Sequence, residues 1–126
     1  MEPKNIADEE ILYRGVKRGS GLIQNGKPQP GLFIDPNGAS VSRDGGRTEQ
    51  DIIDFLARKI IDRKTKQTRI EGCVKLTAQD CRKAETFPNP CKNTDDPYHA
   101  EIHDSETVKQ ISLFKAIRLC DVCRII

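Results

Sequence analysis

The stretch Tyr98–His103, YHAEIH, puts His99, Glu101 and His103 on every second position, with Ala100 and Ile102 between them. Side chains two residues apart leave a strand on the same face. The pattern therefore predicts a half-buried strand: Tyr98, Ala100 and Ile102 turned to a core, the two imidazoles and the carboxylate turned to water. A chain with such a strand flanked by helical periodicity is an α+β protein.

Working outward, Asp104 or Ser105 is a suitable N-cap for a final helix. The spacing of Val108, Ile111, Phe114, Ile117 and Cys120 predicts its buried stripe. Upstream, FPNPCKNTDDP reads as a loop from its Pro, Asn and Asp content, and CVKLTA before it reads as a strand. Thr77 with Asp80 three residues on is a capping-box pattern for a short helix over 78–85. The segment Thr48–Asp62 opens on a threonine cap and carries Ile52, Ile53, Leu56 and Ile60 at helical spacing. Ahead of it, ASVS alternates as a strand, and ILYRGVK supplies a first strand ending near Gly15. Residues 19–38, rich in Gly and Pro, favour turns, with Leu22–Ile23 and Leu32–Ile34 as apolar islands able to pack. The expectation is a single α+β domain over residues 1–126. A small, mainly antiparallel sheet of three to four strands packs against two main helices.

Bulk composition agrees. The chain has 126 residues, 36% apolar and 32% charged, with 5% aromatic residues and no Trp. This size suits one domain with an aliphatic core. No run of residues is long and apolar enough to span a bilayer, and MEPKNIADEE lacks an apolar signal core, so a cytoplasmic location is expected. Five irregularly spaced cysteines make a poor disulfide framework, which fits that compartment. A net charge of +2 is too small for a general nucleic-acid binder. Charge is nevertheless uneven. Arg58, Lys59, Arg63, Lys64, Lys66 and Arg69 form a basic run without the aromatics that stack on bases, while 95–106 is acidic.

His99 and His103 are the only two histidines, and they flank Glu101. Imidazoles beside a carboxylate suit acid–base chemistry near neutral pH. As joint ligands of one metal the two histidines are poorly placed, because a regular strand holds them about 13 Å apart. Cys120 and Cys123 form a CDVC pair with no second close pair to complete a zinc ribbon. No metal site is therefore expected. In DGGRTE, Gly45, Gly46 and Arg47 lead into a helix N-terminus, a weak anion site whose simpler reading is a strand-to-helix turn.

Four segments in order, ILYRGV, GLFIDPNGASVSRDGGR, VKLTAQDCRKA and DPYHAEIHDSE, resemble those of a group of short bacterial proteins with no established activity. The resemblance spans most of the chain. It implies a small stand-alone bacterial protein of the kind found among accessory genes of mobile or defence loci. Separately, Arg14, then Ser40 and Ser42, then Glu101 is similar in order to the site of arginine-type ADP-ribosyltransferases. There the Arg supports the NAD phosphates, the Ser orders the site and the Glu holds the ribose. The paired acid of that motif is missing, since position 99 is His, and the chain is short for that fold.

Two functions follow as expectations. The first is an accessory module acting through contacts with another protein. The second is a small enzyme acting on a nucleotide, NAD or nucleic acid, with Arg14, Ser40, Ser42, His99, Glu101 and His103 around one cleft. If Arg14 and Glu101 occupy opposite sides of the sheet, the enzyme reading collapses.

Overall fold

The structure is a computed structural model and describes residues 5–91 and 93–126. Its centre is a six-stranded antiparallel sheet. The strands are β1 (Ile11–Lys17), β4 (Ala39–Arg43), β5 (Ile70–Thr77), β6 (Phe87–Pro90), β7 (His99–His103) and β8 (Arg124–Ile125), with β2 (Ile23–Gln24) and β3 (Lys27–Pro28) forming a separate hairpin. The spatial order is β6-β7-β4-β1-β5-β8. Three helices, α1 (Glu49–Lys59), α2 (Ala78–Lys83) and α3 (Leu113–Val122), and a 3-10 turn at Pro30–Phe33 cover it.

The α+β class agrees with expectation. The sheet is larger than the three to four strands anticipated, and the physical reason is local. FPNP forms β6, not a loop, because it is an edge strand with β7 as its neighbour. The Cys91 amide donates to the His99 carbonyl, so by alternation the nitrogens of Pro88 and Pro90 point away from β7. Proline is tolerated there, since no ladder bond is lost.

One face of the sheet carries the main core. Leu12, Val16, Ala39, Val41, Val74, Leu76, Ala100 and Ile102 meet Leu32 and Phe33 of the 3-10 turn, Ala78 and Cys81 of α2, and Ala116 and Leu119 of α3. On the other face a smaller cluster joins Tyr13 and Cys73 to Ile52 and Leu56 of α1. α1 begins as its sequence predicts, with Thr48 Oγ1 accepting from the Asp51 amide, but Ile53 and Ile60 are only half-buried. The Thr77–Asp80 capping box forms in full.

The last helix starts seven or eight residues later than a cap at Ser105 or Asp104 implies. Ser105 Oγ instead accepts from the amides of Thr107 and Val108, closing a turn, and Ser112 is the true cap. Asp104 braces that start, accepting from the Ser112 amide and pairing with Lys115. The buried positions become Ile111, Ala116 and Leu119, while Phe114 is 64% and Ile117 44% exposed. Among the described residues, no helix is long and apolar enough to cross a membrane.

Candidate functional site

β1 and β4 pair only at Leu12–Arg43 and Tyr13–Ser42. Beyond that point β1 stays with β5 and β4 with β7, so the sheet splits. A cleft of about 800 Å³ opens at the split. Its walls include Tyr13, Arg14, Ser40, Ser42, Asp96 and His99. Four of the six candidate residues thus reach one cavity.

Their roles differ. Arg14 shares its face with Leu12 and Val16 and lies opposite Val74 of the main core. Its guanidinium donates through Nε to the Leu32 carbonyl and through Nη1 to the Ser40 carbonyl, both at 2.7 Å. The side chain therefore ties the 3-10 turn and both lips of the split together. Burial lowers its pKa and the neighbouring Asp35 charge works the other way; a guanidinium stays protonated regardless.

Ser40, Ser42, His99 and Glu101 occupy the opposite face, with Ser42 facing His99 and Ser40 facing Glu101 across the β4–β7 ladder. Ser42 Oγ donates to Asp96 Oδ2 at 3.0 Å and accepts from Arg47 Nη2 at 2.9 Å. Asp96 is buried, and its other oxygen accepts from the Tyr98 amide. This is a satisfied polar network in which the buried carboxylate has partners on both oxygens.

His99, Glu101 and His103 do lie on one extended strand, as YHAEIH predicts. Two details depart from a solvated face. His103 is 7% exposed, its ring packed on Gly38 and its Nε2 2.9 Å from Glu101 Oε1. His99 turns its Nδ1 to Cys91, 2.9 Å from the carbonyl and 3.5 Å from the thiol. Cys91 was missed because it joins the site only through the register of β6 on β7. Glu101 and His103 do not line the cleft.

Since Arg14 leaves the sheet on the core side and Glu101 on the other, the ADP-ribosyltransferase-like trio is not presented to one substrate. Gly45, Gly46 and Arg47 also sit away from the cleft lining. Arg47 lies over the Tyr98 ring at 4.1 Å and the Phe55 ring at 5.7 Å, and bonds the Asp44 and Arg43 carbonyls. Gly45, at φ +56°, is pressed against Tyr98, which makes this segment a packed turn.

Of the basic run, Lys59, Arg63 and Arg69 border the cleft; Arg58, Lys64 and Lys66 do not. The acidic stretch is largely committed, with Asp96 buried, Glu101 on His103 and Asp104 on Lys115. Burial pushes the Cys120 thiol up to about 11 and those of Cys81 and Cys123 up to about 12, so these sulfurs stay protonated near neutral pH. Comparison with protein-family models, curated proteins and solved structures finds no match.

Proposed function

We propose that the chain is a small binding module whose cleft takes a phosphate-bearing ligand of the nucleotide class. The observation that carries this reading is charge convergence. Lys17, Lys59, Arg63 and Arg69 border the opening and Arg14 sits deeper, against two carboxylates, Asp35 and Asp96. Asp96 is already buried in its own network. A concave site of this size with one dominant sign of charge concentrates anions, and Ser40, exposed on the cleft wall, adds a hydroxyl.

Calorimetric titration with ADP and with pyrophosphate at low salt tests it. Binding is expected to weaken about tenfold or more in the double variant Arg63→Glu/Arg69→Glu and to weaken with added salt. Absence of binding at millimolar ligand, or equal binding by the double variant, overturns the reading.

A second reading, a protein-docking role, is favoured by the outer side of α3. Leu113 (59% exposed), Phe114 and Ile117 lie within one turn of each other and face solvent. Exposed apolar groups gathered this way mark contact surfaces. A photocrosslinking residue at position 114 in host cells is expected to yield one discrete protein adduct. One at the exposed Asn37 is expected to yield none; equal labelling from both sites removes this reading.

A further inference from the structure

We infer that Cys91, His99 and Glu101 form a zinc site beside the cleft. Each offers a ligand atom, and the three atoms lie within 4.8 Å of one another. The best-defined pair is Cys91 Sγ and His99 Nδ1 at 3.5 Å. Zinc–sulfur and zinc–nitrogen bonds near 2.3 and 2.0 Å at a tetrahedral angle place sulfur and nitrogen about 3.5 Å apart. The donor set is a thiolate, an imidazole and a carboxylate, which together select zinc over hard cations such as magnesium or calcium.

The site is built on the sheet. Cys91 continues the β6 register and its amide bonds the His99 carbonyl, holding the two residues opposite one another. Glu101 follows His99 by two positions on β7, so it projects on the same side. Its carboxylate is in turn held by His103 Nε2 at 2.9 Å. A histidine on the ligating carboxylate is the outer-shell support that metal sites use to fix a ligand's orientation. Gly38 makes that support possible, because a Cβ there would sit 2.4 Å from the His103 ring.

Without metal, Nδ1 lies 2.9 Å from the Cys91 carbonyl and carries the proton donated to it. When Zn²⁺ binds, that proton moves to Nε2 of the same ring, which stays neutral. The Cys91 thiol gives its proton to solvent and Glu101 binds as the carboxylate. One proton is released per ion, so affinity rises with pH. Three protein ligands leave the fourth tetrahedral position to water or to a ligand, the arrangement of reactive rather than purely structural zinc. Because His99 also lines the cleft, that open position lies close to it, though the metal site stands whatever the cleft holds.

The test is titration of the chelator-treated, reduced full chain with Co²⁺ and then Zn²⁺. One cobalt per chain is expected, with a thiolate-to-metal charge-transfer band and the strong visible absorption of four-coordinate cobalt, displaced by zinc. Cys91→Ser is expected to abolish the charge-transfer band and Glu101→Gln to weaken binding at least tenfold. Cys120→Ser/Cys123→Ser is expected to leave both unchanged. The inference fails if the band is absent, survives Cys91→Ser, or disappears with the Cys120/Cys123 pair. Should Cys91→Ser not fold, the unaltered chain still decides. Saturating zinc is expected to protect Cys91 from iodoacetamide in peptide mass spectra, and equal alkylation with and without zinc overturns the site.

Discussion

Arg14→Met is expected to lower the unfolding free energy by about 2–4 kcal/mol, equivalent to roughly 10 °C in melting temperature for a chain of this size. Methionine preserves most of the side-chain length and none of the donors. The carbonyls of Leu32 and Ser40 each lose a charged partner at 2.7 Å. Hydrogen bonds to charged groups contribute about 1.5–3 kcal/mol each, and carbonyls that water can reach recover part of it. Arg14→Lys should restore less than half, because an ammonium is a single point of charge and lacks the fork that spans two carbonyls. Calorimetric melting of the three proteins checks the ranking. A melting temperature unchanged in Arg14→Met would show that the lips of the split hold together without the arginine.

Gly38→Ala carries the second large effect, about 3 kcal/mol or more, measured as a lower urea midpoint. Two costs add. Gly38 sits at φ +90°, a region side chains avoid, worth about 1–2 kcal/mol. The new methyl would also stand 2.4 Å from His103 Cδ2 and 3.1 Å from the Ile102 carbonyl oxygen. His103 is buried and bonded to Glu101, so it cannot swing aside without breaking that pair. Gly46→Ala is the control. Its φ of +80° is similar, but nothing lies within 4 Å of the added carbon, so only the dihedral cost of about 1 kcal/mol remains. Placing His103→Ala on Gly38→Ala should return the steric part and leave the dihedral part, which a double-mutant cycle reads as coupling. Equal losses for Gly38→Ala and Gly46→Ala would mean the histidine ring is not locked.

The local rules that held are those whose signals lie within a few residues. Thr48 and Thr77 cap the helices they precede, and the YHAEIH alternation gives an extended β7 with Ala100 and Ile102 inside. Apart from the cap of the last helix, where Ser105 closes a local turn instead, what failed depended on partners distant in sequence. FPNP looks like a breaker until β7 is beside it, since a proline on an outer edge forfeits nothing. The expected α3 stripe, Val108, Ile111, Phe114, Ile117 and Cys120, extends one helix back to a cap at Asp104 or Ser105. Moving the start to Leu113 exchanges Phe114 and Ile117 for Ala116 and Leu119. Cys91 carries no local mark of interest, because its pairing with His99 is a property of register alone. The cleft is likewise invisible in the sequence, since it arises where β1 and β4 part company.

The two margins of the sheet also bear on how the molecule behaves at high concentration. An unpaired strand recruits other chains by offering an alternating row of amide protons and carbonyls. On one flank that row has gaps, because the outward nitrogens belong to Pro88 and Pro90 and have no proton to give. On the other, β8 is two residues long, too short to seed an intermolecular ladder. The proline-bearing border resists fibril-like stacking of one copy on the next through its backbone.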